Sequence, residues 1–297
     1  MQGDPLHWTS KTTVPMRIRA FIRGALEYRG LILDFNDGYT IQMYEERYFF
    51  ERPNPVNLDA AAIGISRWTW KSIDVSNMDW MQMGVQIIKQ KRYDVLPIIT
   101  DSRVESYLYL GGNEEPAESN IIESIHFRTP ALGSLSALVE KKSSHIFLHN
   151  DSHEIVGLLS ACNFNCREFA TVGFNIITAF ESAVANAIRE HKIEVPETEI
   201  YLQAKETNLD VDPVESLSFS ELLKQVSRNY ELFSNNYGKL AASKSKFKSM
   251  KSRHIDLRND IAHSGAGRAL VGGKRTLSEL HQQLIEIRNL TALLTSP

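Results

Sequence analysis

The sequence has few cysteines and no long apolar run, and each absence excludes a class of protein. Two cysteines, Cys162 and Cys166, are too few for a disulfide framework among 297 residues. No stretch approaches the run of about twenty apolar residues that a membrane span needs. The segment 1–13 also lacks the apolar core of a signal peptide. We therefore expect a cytoplasmic protein that does not cross a membrane.

Metal-ligand patterns are weak. The pair Cys162 and Cys166 has no second Cys or His pair nearby, which favours small, half-buried residues at the start of a helix. His145, His149 and His153 are spaced at four, but the apolar residues between the first two favour a strand and a turn. We predict no metal site.

Positive charge is concentrated near the C-terminus, although the formal net charge is −3. Between Lys239 and Arg275 the acids are Asp256 and Asp260 alone. Such a local excess of cations is typical of a protein that binds a polyanion, and a solvated helix face is the alternative. The candidate contacts are Lys244, Lys248, Lys251, Arg253 and Arg268.

Composition divides the chain into three predicted parts. Residues 1–66 indicate short strands and turns, with a hairpin around Asn36-Asp37-Gly38 and no motif that carries chemistry. Residues 67–164 mix helices with strands, and residues 165–297 are helical. The expected fold is α+β and multidomain, with a small β-rich segment at its N-terminus.

The middle part contains one order of elements twice. A helix over 80–91 precedes a strand, a turn at Asp101-Ser102 and a second strand. A second helix precedes a strand over 145–148, a turn at Asp151-Ser152 and a strand over 155–160. Helix, strand, turn and strand therefore form an internal repeat.

The last strand of the second copy, residues 155–160, has a Gly followed by two apolar residues and a hydroxyl. This pattern resembles a pair of CBS motifs, the module named after cystathionine β-synthase. The first copy departs from it, because Ser106 replaces the Gly and Tyr109 takes the hydroxyl position. The resemblance implies an αβ sandwich of two motifs over 67–164.

Paired CBS motifs commonly bind adenine nucleotides between the copies. The resemblance therefore implies a regulatory nucleotide held by Ser160, Asn163, Thr129 and Asp101. The family usually has a ribose-binding Asp at the position of Asn163. An Asn accepts through its carbonyl oxygen, but it adds donors and loses the charge. AMP or ATP, another nucleotide, and an empty site all stay open, as does a purely structural sandwich that dimerises.

Helical spacing of apolar residues organises the last part of the chain. We predict four helices, over 169–191, 218–233, 240–262 and 277–294. The second is capped by Ser218 or Ser220, and the third ends at Ser264-Gly265-Ala266-Gly267. The acidic stretch 193–213 indicates a long loop, so the prediction is an up-down four-helix bundle.

The segment 257–263 at the end of the third predicted helix contains Arg258 followed five residues later by His263. It resembles the R-x4-6-H signature of HEPN ribonucleases, in which a polar residue often follows the Arg, as Asn259 does here. A HEPN-like first helix often carries an acid, and Glu181 takes that place. The resemblance covers 165–297 and implies RNA cleavage without a metal.

The chemistry fits the residue types. His263 can move a proton to or from a reacting hydroxyl near neutral pH, and Arg258 presents a charged fork to phosphate. Asp260 or Glu181 could orient either one. Five residues rotate a helical side chain by about 140°, so the pair converges only if His263 sits in a relaxed terminal turn. An ion pair of Arg258 with Asp256 or Asp260, and a helix cap at His263, are the structural alternatives.

HEPN nucleases usually dimerise with two motifs facing one cleft, so we expect a homodimer. By analogy of architecture, the resemblance implies an endoribonuclease that acts on RNA in toxin or antiphage defence and is controlled by the CBS-like pair. Such a protein could have an antitoxin or defence-system partner. Two alternatives stay open. One is a non-catalytic regulator that binds nucleotide or RNA, and the other is an interaction module whose cationic face meets an acidic partner.

Overall fold

The computed structural model describes residues 58–67, 70, 72–75, 79–91, 95–100, 103–110, 116–207, 209–263 and 269–295. The predicted hairpin around Asn36-Asp37-Gly38 lies outside these residues, as does nearly all of the predicted N-terminal β-rich segment. The chain divides into two compact units between Phe169 and Ala170. The described residues are a mixture of helices and two small sheets, as the sequence predicts.

The first unit contains two four-stranded sheets. Its helices are α1 (Ala60–Ile63), α2 (Trp80–Lys91) and α3 (Ala131–Lys141). Its strands are β1 (Ile65–Ser66), β2 (Ile73–Asp74), β3 (Val95–Thr100), β4 (Arg103–Leu110), β5 (Pro116–Ser119), β6 (Ser124–His126), β7 (His145–His149) and β8 (Ile155–Ser160). One sheet has the order β2-β3-β4-β5, and the other has the order β1-β8-β7-β6.

The internal repeat predicted from the sequence is confirmed by the strand pairing. In the first copy β2 pairs parallel with β3 across α2, and β3 pairs antiparallel with β4. In the second copy β6 pairs parallel with β7 across α3, and β7 pairs antiparallel with β8. The first strands of the two hairpins are offset by fifty residues, since β3 begins at Val95 and β7 at His145. In each copy the second strand of the β–α–β unit is also the first strand of the hairpin.

The two copies share an irregularity as well as a topology. The hairpin register shifts between Ile98 and Ile99 in the first copy, and between Leu148 and His149 in the second. These positions also differ by fifty residues. A bulge places one extra residue in a strand and bends it, so both hairpins bend at the same point.

Each copy builds its core from the same positions. The equivalent buried pairs are Ile88 and Leu138, Leu96 and Ile146, Ile98 and Leu148, and Leu108 and Leu159. A third cluster joins the two sheets, because Val95 packs with Phe147 and Leu158. The ring of Tyr107 adds a contact to Phe147 at 5.4 Å between centroids. The module is therefore one sandwich with an apolar layer between its halves.

The first described residues of the chain form hydrogen bonds with the second copy of the repeat. The backbone N–H of Ala60 donates to Thr129 O at 2.8 Å, and the N–H of Ala131 donates to Leu58 O at 2.7 Å. After α1, strand β1 pairs antiparallel with β8. Gly157 allows that approach, because a Cβ there would lie 3.0 Å from Ile65 O.

The second unit is helical. Its elements are α4 (Arg167–Glu190), which begins just before the boundary, α5 (Glu199–Glu206), α6 (Phe219–Arg228), α7 (Tyr230–Tyr237), α8 (Lys244–Ala262) and α9 (Leu277–Thr295). Phe180, Phe233, Phe247, Leu257 and Leu284 are buried in it. By length and composition alone α4 passes the test for a membrane span, and 44% of its most apolar window is buried in this structure. Core helices of water-soluble proteins pass the same test.

The described part of this unit has six helices where four were predicted, and the helix predicted over 240–262 begins at Lys244. The stretch 193–213, predicted as a loop, contains α5, which begins after Thr198 because that hydroxyl accepts the N–H of Tyr201 at 3.1 Å. The helix predicted over 218–233 is broken at Asn229, whose side-chain amide donates to Gln225 O. The predicted cap at Ser218 is confirmed, with Glu221 completing a capping box.

Equivalent buried positions of the two copies should contribute similarly to the free energy of unfolding. Leu96→Ala and Ile146→Ala each remove a fully buried side chain, so each should lower the free energy of unfolding by about 2–5 kcal/mol. Urea denaturation of the full chain measures the loss. Lys89→Ala, at an exposed position of α2, is the control and should change it by less than about 0.5 kcal/mol. A large loss at one position and none at its equivalent would contradict the duplication of the core.

Candidate active site and nucleic-acid interface

A cavity of about 570 Å³ opens in the helical unit. One wall is the face of α4 that carries Glu181, Ala185 and Arg189, which follow one another at helical spacing. Arg258 of α8 lines another wall, and the segment from 214 to 222 lines the rest. Two residues predicted to be catalytic, Glu181 and Arg258, therefore share one cavity.

Glu181 and Arg258 influence each other electrostatically. Burial raises the pKa of the Glu181 carboxyl, and the charge of Arg258 partly opposes that rise. The Nε of Arg258 is buried and has no hydrogen-bond partner among the described residues. An unpaired donor on a charged guanidinium is expensive to bury, so this group is suited to receive an anion.

The second arginine of the cavity is already neutralised. Arg189 donates through Nε to Asp212 and through Nη2 to Glu215 at 3.0 Å. The pKa of Asp212 lies below its usual value, first because the backbone N–H of Val214 donates to it and also because of Arg189. Arg189 therefore shapes the cavity wall, and among the described lining residues Arg258 is the cation left for a ligand.

His263 lies at the end of α8. It is the C-cap residue, it is exposed, and its backbone N–H donates to Asn259 O at 3.1 Å. Helical rotation separates its direction from that of Arg258 by about 140°. In the part of the chain that the structure describes, the cavity holding Arg258 and Glu181 is not lined by His263 or by Asn259.

Asp260 is directed away from Arg258. It is buried, and it accepts from Arg275 Nη2 at 3.2 Å, while Arg275 Nε donates to Gln283 at 3.0 Å. Asp260 follows Arg258 by two residues, so the two side chains leave the helix about 160° apart. The sequence grouped Asp260 with the catalytic pair, whereas the structure gives it a buried ion pair between α8 and the segment before α9.

The basic residues of α8 occupy two faces. Lys244, Lys251 and Arg258 are seven residues apart and therefore lie within roughly 40° of one line, with Lys248 beside them. We call Lys244, Lys248 and Lys251 the lysine stripe. Arg253 is on the other side, where its Nη2 pairs with Glu286 at 3.3 Å. Arg253 was predicted with the others but contacts α9, and Arg268 lies outside the described residues.

The predicted nucleotide residues of the first unit bond to each other. The amide oxygen of Asn163 accepts from Ser160 N at 2.8 Å and from Ser160 Oγ at 3.0 Å. A carbonyl oxygen has two lone pairs, so its acceptor capacity is used. The Thr129 carbonyl holds α1, as described above, and Asp101 lies outside the described residues. Asn163 could thus donate to a ribose but not accept from two hydroxyls.

Five polar residues of the cavity were not predicted: the charged Arg189 and Glu215 and three uncharged residues. Ser182 and Asn186 of α4 and Ser218, the cap of α6, line it beside Glu181. The i, i+4 spacing of Ser182 and Asn186 could have indicated a shared polar face on α4. Ser218 could not have been found this way, because its place depends on how α6 packs.

Comparisons with known proteins are sparse. No family model matches this sequence, and no curated protein matches it. A hemolysin-like protein of Oenococcus oeni that contains a CBS domain is similar in structure, with a TM-score of 0.30, 11% identity and coverage of 37% of this chain and 88% of its own.

Two further solved structures are similar at the same level. The CBS domain of a bacterial CNNM/CorC family Mg²⁺ transporter has a TM-score of 0.30, 11% identity and coverage of 54% of this chain and 96% of its own. A protein of Methanocaldococcus jannaschii has a TM-score of 0.29, 11% identity and coverage of 79% and 98%. These TM-scores are too low to identify a family, and the repeat is established by its own strand pairing.

Removing Arg258 should change the titration of Glu181. Arg258→Met takes away the charge that opposes the effect of burial, so the pKa of Glu181 should rise further. The pH titration of the Glu181 side-chain ¹³C signal measures this. Arg253→Met, on the opposite face of α8, is the matched control. An unchanged Glu181 pKa in Arg258→Met would show that the two groups do not interact.

The same shift has a consequence for stability. Because the folded-state pKa of Glu181 is raised, its contribution is fully present below the usual pKa of Glu and is lost as pH rises through the folded value. The free energy of unfolding should therefore fall more between pH 4 and pH 7 in Arg258→Met than in the unchanged chain. Urea denaturation at pH 4 and at pH 7 measures this difference.

The buried ion pair should matter more than the exposed one. Arg275→Met leaves the buried Asp260 without its guanidinium, which should cost about 3–5 kcal/mol of unfolding free energy. Arg253→Met breaks a half-exposed pair with Glu286 and should cost about 0–1 kcal/mol. Urea denaturation compares the two variants. Equal losses would mean that Asp260 and Arg275 do not fix α8.

Proposed function

We propose that the helical unit is a metal-independent endoribonuclease and that the repeat unit is its ligand-responsive regulator. One observation carries the first part. A cavity combines the partly unbonded guanidinium of Arg258 with the carboxyl of Glu181, and the lysine stripe runs along the same face of α8. A polyanion that follows the stripe would bring a phosphate to Arg258. The resemblance of 257–263 to the HEPN signature supports RNA as that polyanion.

The proposed reaction uses the 2′-OH of RNA as the nucleophile. The 2′-oxygen loses its proton and attacks the adjacent phosphorus, the bond to the 5′-oxygen breaks, and that oxygen takes a proton. The products are a 2′,3′-cyclic phosphate and a 5′-hydroxyl. Arg258 would stabilise the charge that develops on the phosphoryl oxygens, and His263 would move a proton. DNA lacks the 2′-OH and would not be cut.

The separation of Arg258 and His263 on α8 favours a site built by two copies of the chain. Side chains that diverge by about 140° on one helix do not meet easily on one reacting phosphate. In a two-fold dimer the same patch occurs on both copies, so His263 of one copy could face the cavity of the other. A homodimer with composite sites is therefore part of the proposal.

The repeat supports the regulatory part of the proposal. Two β–α–β units with matching hairpins have the order of elements found in paired CBS motifs, which commonly bind adenine nucleotides. A regulatory nucleotide at Ser160, Asn163 and Thr129 would meet an Asn163 oxygen that is already bonded. A cytoplasmic location, and a toxin or antiphage role with an antitoxin or defence-system partner, rest on the resemblance alone.

A second candidate function is RNA binding without cleavage. It is favoured by the position of His263 outside the cavity of Arg258. In that case Arg258 and the lysine stripe would hold RNA, and replacing His263 would leave binding unchanged. The two candidates separate in one experiment.

Cleavage of a fluorescent single-stranded RNA in EDTA tests the proposal. The unchanged chain should produce cyclic-phosphate ends. Arg258→Ala and His263→Ala should each lower the rate by about a hundredfold or more, since each removes a reacting group. Arg253→Ala, on the opposite face of α8, is the control and should retain activity. Binding without cleavage by the unchanged chain would favour the second candidate and exclude the first.

Mixing the two inactive variants tests the composite site. If one site takes Arg258 from one copy and His263 from the other, a mixed dimer has one intact site. Random exchange then restores about a quarter of the original rate. If both residues act within one copy, every site in the mixture keeps a defect and no activity returns.

A further inference from the structure

The cavity of the helical unit offers a ligand one cation and one carboxylate among its described residues. The other charged groups of the lining are already engaged, because Arg189 donates to Glu215 at 3.0 Å and also to Asp212. Arg258 and Glu181 remain. A ligand that suits this cavity should therefore present a negative group to Arg258 and hydrogen-bond donors to Glu181.

The carboxylate of Glu181 is available to such a ligand. Burial raises its pKa and the charge of Arg258 opposes the rise, and no hydrogen bond from the residues that the structure describes contributes. The side chain is partly buried, so water solvates its two oxygens incompletely. An acceptor that is partly removed from water without a partner favours a ligand that brings donors.

The amide of Asn186 has a fixed orientation on the same wall. Its Oδ1 accepts from Arg189 Nη1 at 3.0 Å, and because a guanidinium can only donate, the oxygen must face Arg189. The N–H groups of Asn186 make no hydrogen bond within the described part of the chain, so they can donate to a ligand. The wall therefore combines an acceptor at Glu181 with a donor at Asn186.

The remaining lining suits the faces of a planar ring. The volume of about 570 Å³ lies within the range of pockets that hold small molecules. A base can lie against apolar side chains while its polar edge meets Glu181 and Asn186. The apolar lining residues are Ala185, Val214, Leu217, Phe219 and Leu222.

Guanine is the RNA base whose hydrogen-bonding edge fits these groups. Its N1–H and N2–H donors lie side by side and match the two oxygens of a carboxylate, and its O6 beside them can accept from an amide N–H. Adenine and cytosine place a ring-nitrogen acceptor next to their amino group, and uracil places its N–H between two carbonyls. A carboxylate would therefore face an acceptor in each of the other three bases.

We propose that this cavity binds a guanosine of the RNA chain, with Glu181 selecting the base and Arg258 contacting its phosphate. The inference rests on the proposed function, because it takes RNA as the ligand of the helical unit. It gives the two charged residues different tasks, since a phosphate contact acts on every sequence alike and a base contact selects among sequences. Cleavage would then occur on the 3′ side of guanosine.

Isothermal titration of the full chain with 3′-GMP, 3′-AMP, 3′-CMP and 3′-UMP tests the selection of the base. 3′-GMP should bind about tenfold or more tightly than each of the others, the discrimination expected of a bidentate base contact. Glu181→Gln keeps the shape of the side chain but replaces an acceptor with a donor, so it should remove the preference. Arg258→Met should weaken the binding of all four nucleotides, because it removes the phosphate contact.

The nucleotide 3′-IMP tests the same contact without any change in the protein. It lacks the N2 amino group of guanine and keeps N1–H and O6. It should bind to the unchanged chain about threefold or more weakly than 3′-GMP, the effect of one lost hydrogen bond to a charged group. In Glu181→Gln the difference between the two nucleotides should become much smaller. If Glu181→Gln fails to fold in a thermal unfolding experiment, the comparison in the unchanged chain decides.

The matched control is Glu190→Gln, which lies on the same helix outside the described lining and should bind every nucleotide like the unchanged chain. Equal affinity for the four nucleotides, equal affinity for 3′-IMP and 3′-GMP, or no binding would overturn the proposal. So would binding that neither Glu181→Gln nor Arg258→Met changes, because the nucleotide would then lie elsewhere. None of these results depends on whether RNA is cut. Guanine-selective binding through Glu181, without RNA cleavage in EDTA, would overturn the nuclease and leave this site.

Discussion

The apolar stripe along α8 fixes the rotation of that helix, and the chemistry of the helical unit depends on this rotation. Phe247, Leu257 and Ile261 are buried along one side, which leaves the remaining directions determined by helical geometry. One flank then carries the lysine stripe and Arg258, and the other carries Arg253. The buried pair of Asp260 and Arg275 fixes the same rotation through a charge interaction. A helix turned by one residue would lose both.

The order of elements could be predicted from the sequence, whereas tertiary partners could not. The repeat was visible because the apolar pattern and the turn residues occur twice, and the cap at Ser218 follows from local hydrogen bonding. The short helix α5 was missed because it begins after Thr198 in an acidic stretch that resembles a loop. The break at Asn229 was missed because the apolar periodicity continues on both sides of it.

The same limit applies to the candidate site. Glu181 and Arg258 could be grouped, because a resemblance pointed to both. The partners of Arg253 and Arg275 could not be predicted, since Glu286 and Asp260 reach them only after α8 and α9 have packed. Two cations that seemed part of one basic patch are thereby neutralised. The local charge of a sequence segment therefore overstates the positive charge that a ligand meets.

The matching bulges in the two hairpins bear on how this protein arose. One origin explains a register shift at the same step of both copies more simply than two origins do. It implies that one ancestral unit already had the bend before its gene was duplicated. That unit could bury its sandwich face only against a second identical chain. Fusion into one polypeptide freed the two halves to diverge, and Ser106, which pairs with Ile98 where Gly157 pairs with Leu148, records that divergence.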